Sequence, residues 1–288
     1  MINLRYHIVS LAAVLLALAA GIALGAGVLD ESVAAPDDTD DAVTEISPAL
    51  AGFDAGYAAL TAPGLIGAKL KGVTVLVMTT PGARESEVNS LIENLTTAGA
   101  TVTGQVELTS KLLSPSNRQF AVGVATQADP SASSADDDYA RVGAAIGKAY
   151  LTQGDGALDD TARTIRSAFV EGGLLDPRQD PDRSAQLALV VSGPSGAGSA
   201  GEGTVISGIA PALDEAGRGV EVVGPVSSGE NGVVAAVRGS DAAANVSTVD
   251  VTDSGTGRVA SVLGLISEAD GRSGAWGTSR AADGPVPN

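Results

Sequence analysis

Beyond residue 70, the hydrophobic and polar positions follow first the pattern of a buried strand, then that of a helix, and then that of a strand again. The largely apolar run VTVLVMTT at residues 73–80 ends before Pro-Gly, which predicts a strand buried on both faces. The next segment carries four apolar residues at i, i+3, i+4 and i+7, as on the buried face of a helix: Val88, Leu91, Ile92 and Leu95. Residues 101–108 then resume strand character. These segments predict a βαβ unit with parallel strands and a right-handed crossover.

The same order returns later in the chain. An apolar run at residues 185–198 leads into Pro and Gly, and residues 220–226 form the next predicted strand. Between them the helical spacing recurs at Ile206, Ile209, Ala210 and Leu213. The chain therefore contains a second predicted βαβ unit.

Further helices complete the predicted domain. Two are expected at residues 138–151 and 159–175, and a last one ends near Gly271. We predict an extracytoplasmic α/β domain over residues 63–271, built from two βαβ units with a mainly parallel sheet. Residues 272–288 are predicted to be an irregular C-terminal tail, in which Trp276 is the only large apolar anchor.

The N-terminus carries a different pattern. Residues 8–29 form an uncharged run of 22 residues, long enough to cross a hydrocarbon layer of about 30 Å as a helix. Arg5 and His7 precede this run, and Asp30 and Glu31 follow it. Because positive charge stays on the cytoplasmic side, residues 1–7 are predicted to be cytoplasmic and the rest of the chain to lie outside. The alternative is a cleaved signal peptide, although the run is longer than the usual apolar region of such peptides.

Small residues form a stripe along this predicted transmembrane helix. Ala13, Ala17, Gly21 and Gly25 recur every four residues and end in a GxxxG motif. Such a stripe lets two helices approach closely in lipid, so a homo-oligomer through this helix is one expectation. The alternative is that an Ala-rich segment produces the stripe by chance.

Residues 30–62 are predicted to be an acidic linker with a short helix. The first part contains seven acidic residues and no Lys or Arg, and Pro36 and Pro48 interrupt it. The carboxylates do not have the spacing of an EF-hand, so a solvated linker is favoured over a calcium site. Phe53, Tyr57 and Leu60 then recur at helical spacing before Pro63.

Composition excludes several classes of function. The 288-residue chain has a formal net charge of -17, which makes nucleic acid an unfavourable partner. It contains no cysteine, so disulfides, iron–sulfur clusters and thiolate metal sites are ruled out. With no Cys, two Met and one His, no conventional copper or zinc site is expected, and Met78 lies in a predicted buried strand.

No catalytic residues or cofactor site can be assigned. Gly196, Gly198 and Gly201 spell GxGxxG between a strand and a helix, but the following strand lacks an acidic residue at its end to bind a ribose. Ser195 lies in a tight loop without a GxSxG motif, and His7 is remote from the outer domain. A pair of carboxylates that cleaves a glycoside remains an alternative, because the sequence does not show the distances between side chains. We therefore expect a protein that is not an enzyme.

Three segments resemble the MctB family of actinobacteria. The N-terminus matches the pattern M-I-x-L-R-x-H followed by an apolar segment ending in Gly-x-x-x-Gly. Residues 64–83 resemble the first strand of the family's outer domain, and residues 262–277 resemble its closing segment. The resemblance implies a cell-envelope membrane protein that contributes to copper homeostasis or efflux, with copper ions transported without a tight site.

A second role is implied by a corynebacterial relative, SteB, which is linked to cell division and acts beside a partner, SteA. The resemblance therefore also allows a single-pass envelope scaffold in division or wall synthesis, with a SteA-like partner. Many family members carry a long coiled-coil-like helix beyond the membrane, and the short, Pro-interrupted linker here departs from that pattern. One spanning helix cannot enclose a pore, so a pore would require an oligomer.

Overall fold

A computed structural model describes residues 47–134, 137–154, 156–196 and 198–287. This part of the chain is a mixed α/β domain around a seven-stranded sheet. The strands are β1 (Thr74–Thr79), β2 (Thr101–Leu108), β3 (Leu175–Gln179), β4 (Leu187–Val191), β5 (Val220–Val223), β6 (Ser247–Val249) and β7 (Ala275–Trp276). The α-helices are α1 (Pro48–Ile66), α2 (Glu85–Thr97), α3 (Arg118–Ala128), α4 (Asp138–Tyr150), α5 (Asp160–Glu171), α6 (Ser199–Ala216), α7 (Val226–Asn231), α8 (Val233–Arg238) and α9 (Gly255–Ala269).

The sheet is mostly parallel, as the sequence predicted. Its strand order is β3-β2-β1-β4-β5-β6-β7, and β3 is antiparallel to its neighbour β2 while the other pairs are parallel. The two predicted βαβ units are confirmed as β1-α2-β2 and β4-α6-β5. The chain moves to the opposite side of β1 when it enters β4, so the sheet has a topological switch point between these two strands.

The strands bury both faces, and helices cover each face. In β1, Leu76 and Met78 pack into one core beneath α4, α5 and α6, while Val75 and Val77 pack into a second core beneath α1, α2 and α9. This division follows from the alternation of side chains along a strand. The nearly continuous apolar sequence of β1 and β4 is therefore required by burial on both sides.

Helix α1 differs from the short helix expected before Pro63. It begins at Pro48, contains Pro63 and ends at Ile66. Its buried residues, Ala58, Ala62 and Ile66, pack into the second core. The predicted boundary between linker and domain at residues 62 and 63 thus falls inside one helix, because tertiary packing extends α1 past the proline.

Several further elements lie outside the predicted pattern. Helix α3 and the antiparallel strand β3 occupy segments for which no regular structure was predicted. In the segment expected to be an irregular tail, β7 pairs with β6 through Thr248 and Ala275.

The predicted membrane span at residues 8–29 lies outside the described residues, as do Ala13, Ala17, Gly21 and Gly25. Within the part that the structure describes, no helix has both the length and the apolar character to cross a membrane. The orientation of the chain and the helix-packing stripe therefore stay predictions.

Candidate functional site

Ligands of open α/β sheets usually bind beyond the carboxyl ends of the strands, at the topological switch point. Here that point lies between the loops that follow β1 and β4. The Thr80 backbone N–H donates to the Val191 carbonyl at 3.0 Å, and the Gly193 N–H donates to the Thr80 hydroxyl at 3.3 Å. A Cβ atom placed on Gly193 would lie 2.6 Å from the Gly82 carbonyl carbon. The two loops therefore pack backbone against backbone and close the usual ligand crevice.

Serine hydroxyls beside this closed point have structural partners. Ser192 Oγ donates to the Val223 carbonyl at 3.0 Å and lies 2.9 Å from Ser228 Oγ. Ser228 Oγ in turn accepts from the Val234 backbone N–H at 3.2 Å, at the start of α8. These bonds hold the loops after β4 and β5 together. They satisfy buried hydroxyls and do not pair a nucleophile with a base.

Two glycines of the GxGxxG sequence have structural roles. Gly198 has a left-handed φ of 103° and precedes α6, and a Cβ on Gly201 would lie 3.1 Å from the Pro115 ring. Glu202 occupies the first turn of α6, and partial burial raises the pKa of its carboxyl group. A carboxylate there already meets the positive end of the helix dipole, which disfavours a phosphate at the same place. Glu202 thus makes the start of α6 an unfavourable place for a dinucleotide phosphate.

An open polar cavity lies on the β1–β2 side of the closed switch point. Its volume is about 670 Å³. Its lining includes Thr79, Glu85, Asn89, Gln105, Glu107 and Arg178. Arg178 Nε donates to Glu107 Oε2 at 3.0 Å, so the carboxylate that faces the cavity is already paired. Hydroxyl, amide and carboxylate groups suit a polar ligand, whereas Cu(I) prefers sulfur donors.

A buried ion pair ties the C-terminal segment to the domain. Arg238 at the end of α8 pairs with Asp250, which follows β6, and both side chains are almost fully buried. Asp250 also accepts from the backbone N–H groups of Thr278 at 2.7 Å and Ser279 at 3.1 Å. Burial alone would raise the pKa of Asp250, but hydrogen bonds from Ser279, Thr278 and Arg238 lower it below its usual value.

A second buried acidic group has no such partners. Glu221 in β5 is fully buried, and neither of its carboxyl oxygens has a hydrogen-bond partner among the described residues. Burial, followed by the nearby charge of Glu268, raises the pKa of Glu221 well above its usual range. Burial also raises the pKa of Glu268 to about 7, even though the Ser247 N–H donates to this carboxyl at 2.7 Å. Both effects favour the protonated form of the Glu221 carboxyl group.

Glu221 is also not positioned to bind a ribose. It lies in the first half of β5, and its carboxyl group lies over Gly264 of α9, where a Cβ would clash with Glu221 Oε1. The carboxyl edge, where the glycine loop lies, is at the other end of the strand.

No metal site emerges from the described part of the chain. No group of three or more His, Cys, Asp or Glu residues there is arranged to hold a metal ion. Met78 is fully buried in the core of β1, and His7 lies outside the described residues. Within these bounds, the domain offers neither soft donors nor a carboxylate cage for a tightly held ion.

The chain is similar to one protein family along nearly its whole length. A family model described as "Copper transport outer membrane protein, MctB" matches residues 1–287. The chain is 29% identical over 316 residues to the "Copper transporter MctB" of Mycobacterium leprae, with 98% of each chain covered. Proteins of the same name from Mycobacterium bovis and Mycobacterium tuberculosis H37Rv are each 29% identical over 312 residues, again with 98% of each chain covered.

Proposed function

The chain belongs to the MctB family, and from this membership we propose that it is a cell-envelope protein that contributes to copper homeostasis or efflux. The observation that carries the proposal is the family match over residues 1–287, which includes the predicted span as well as the α/β domain. The relatives named copper transporters match end to end, so the proposal does not depend on one shared module.

Deletion of the gene tests this proposal. The deletion strain should grow less well than its parent in rising copper, and expression of the full chain should restore growth. Growth in rising zinc is the control, because general envelope damage would sensitise cells to both metals. Unchanged copper sensitivity would argue against the copper role.

The proposed topology is a single pass, with residues 1–7 in the cytoplasm and residues 30–288 outside. The uncharged length of residues 8–29 and the charges on either side support it. Because the chain has no cysteine, Asn3→Cys and Ala243→Cys each create a unique label site. An impermeant maleimide added to intact cells should label position 243, which is exposed, and not position 3. The reverse pattern would contradict the orientation.

Copper is proposed to be cargo without a tight site on the domain. The lack of a metal-ligand cluster in the described residues and the burial of Met78 support this view. The full chain with Met78→Leu should therefore restore copper resistance as well as the native chain does, because the two side chains have similar volumes. A Met78→Leu chain that folds but fails to restore resistance would contradict it.

Self-association is proposed to accompany this role. One spanning helix cannot enclose a channel, so passage of ions requires several copies or a partner. The stripe Ala13, Ala17, Gly21 and Gly25 supplies a helix-packing face for such an assembly. Replacing Gly21 and Gly25 with Leu should weaken association of the full chain in membranes, whereas Leu at Ala12 and Ala19, off the stripe, should not.

A scaffold role in division or wall synthesis, acting through a SteA-like partner, is the second candidate. The exposed apolar residues of α1 favour it, because such surfaces mark protein contacts. Crosslinked envelopes should then yield a division or hydrolase-regulating protein with this chain. Normal septa in the deletion strain would argue against this role.

A further inference from the structure

Helix α1 presents a row of large apolar side chains to solvent. Leu50, Phe53, Tyr57 and Leu60 are exposed to 56%, 70%, 54% and 79% of their full surface. Their spacing of three, four and three residues places them on one side of the helix. The Phe53 and Tyr57 rings lie 6.4 Å apart and are inclined by 18°, so the row forms a continuous surface. We call these four residues the α1 stripe.

The orientation of α1 is fixed by its other side. Asp54 binds the start of α9, where it accepts from the Thr256 hydroxyl at 2.7 Å and from the Gly255 and Thr256 backbone N–H groups. A Cβ on Gly255 would lie 2.8 Å from the Ala55 Cα, so the two helices are in close contact there. Three residues of the same side are buried: Ala58, Ala62 and Ile66. Helix α1 therefore cannot rotate to bury the stripe without losing these contacts.

An apolar cavity adjoins the stripe. Its volume is about 430 Å³, and Leu50, Phe53 and Tyr57 form one wall. The other wall comes from the loop before α9 and its first turns, with Asp253 and Arg258. Such a cavity with an apolar wall and charged groups suits a large apolar side chain from a partner.

We propose that the α1 stripe packs against the α1 stripe of a second copy of this chain. Apolar residues that alternate at three and four positions form the seam of a two-helix contact. The stripe itself carries no charge, whereas the chain as a whole has a net charge of -17. Two copies can therefore meet along the stripe without placing like charges opposite each other. This contact goes beyond the proposed copper role and does not depend on it.

The chain that precedes α1 also favours a second copy. Residues 30–46 join the predicted membrane span to α1, and these 17 residues reach at most about 60 Å when fully extended. Copies held in one membrane are thereby confined to a thin layer, which raises the effective concentration of the stripe.

A lipid surface fits the stripe less well. Helices that lie on membranes usually carry Lys or Arg beside their apolar face. Helix α1 contains neither, and the linker before it has seven acidic residues, which anionic lipids repel. The observations therefore favour protein over lipid as the occupant.

Site-specific crosslinking of the full chain in native membranes tests the contact. Single cysteines at Phe53, Tyr57 or Leu60 probe the stripe, and single cysteines at Ala59 and Ala243 are exposed controls off the stripe. With a short bis-maleimide, we expect about tenfold more crosslinked homodimer at the stripe positions than at the controls. Equal yields at all positions would indicate random collision and overturn the proposal.

A second variant tests whether the apolar character of the stripe is needed for the contact. Adding Leu60→Asp to the Phe53→Cys chain should abolish most of the homodimer, because it places two carboxylates in the seam. Phe120→Asp changes an exposed apolar residue elsewhere and should leave the yield unchanged. An undiminished yield with Leu60→Asp would overturn the proposal, and so would crosslinks that form only to lipid or to another protein. A deletion strain without a copper phenotype would leave these results unaffected.

Discussion

The buried carboxyl group of Glu221 should make the domain less stable as pH rises. The group is fully buried without a hydrogen-bond partner in the described part of the chain, and its pKa is raised. The folded protein therefore keeps a proton that the unfolded chain releases above its ordinary pKa. A state that binds more protons is favoured by acid, so the free energy of unfolding falls with increasing pH.

The size of the effect follows from proton linkage. Each group that stays protonated in the folded state alone lowers the free energy of unfolding by about 1.4 kcal/mol per pH unit. Glu268 contributes over the pH range from its ordinary pKa of 4.5 to its pKa of about 7 in the folded protein. Across this range the free energy of unfolding falls by about 3 kcal/mol.

The test is the substitution Glu221→Gln, which keeps the shape of the side chain and removes its titration. The variant should match the native chain below about pH 4 and become more stable than it as the pH rises past the ordinary value of 4.5, with a slope of at most about 1.4 kcal/mol per pH unit. Urea unfolding of the full chain in detergent, followed by the fluorescence of Trp276, measures this because the chain has one tryptophan. The exposed Glu230→Gln is the matched control. Equal pH dependence in native and Glu221→Gln chains would refute the reasoning.

Three further predictions concern an ion pair, a close backbone contact and a helix contact. Arg238→Met should lower the free energy of unfolding by about 3–5 kcal/mol in urea titrations, because it leaves Asp250 buried without its cation. Gly193→Ala should cost about 1–3 kcal/mol in the same assay, since its Cβ would meet the Gly82 carbonyl carbon at 2.6 Å. Its control is Gly123→Ala in α3, which has open space and should gain about 0.5–1 kcal/mol. Asp54→Ala should cost about 1 kcal/mol and speed hydrogen exchange in α1, because the first turn of α9 loses its acceptor. Unchanged exchange in α1 would mean that Asp54 does not hold this helix.

The periodic parts of the fold could be predicted from the sequence. In β1 and β4 the apolar runs are continuous because both faces are buried, and in α2 and α6 the apolar residues keep a helical period. Strand β3 has no such signal, since it lies at the edge of the sheet and contains Pro177. Helix α3 buries only Ala121 and Ala125, which form too weak a stripe to be detected.

The polar contacts could be predicted only in part. The pairing of Arg238 with Asp250 depends on how α8 packs beside β6, which the sequence does not show. The unusual state of Glu221 could have been predicted from the sequence, because a carboxylate between valines in a buried strand must be neutral or paired. The exposure of the α1 stripe could not be foreseen, since the pattern alone does not tell which side of a helix is buried.

The account rests on a role in copper homeostasis, and the copper content of cells tests it most directly. Cell-associated copper should be measured by mass spectrometry in the parent, the deletion strain and the deletion strain that expresses the full chain, all grown at one sub-inhibitory copper concentration. We predict that the deletion strain accumulates more copper than its parent and that the full chain returns the content to the parental level. Equal copper content in all three strains would contradict the account.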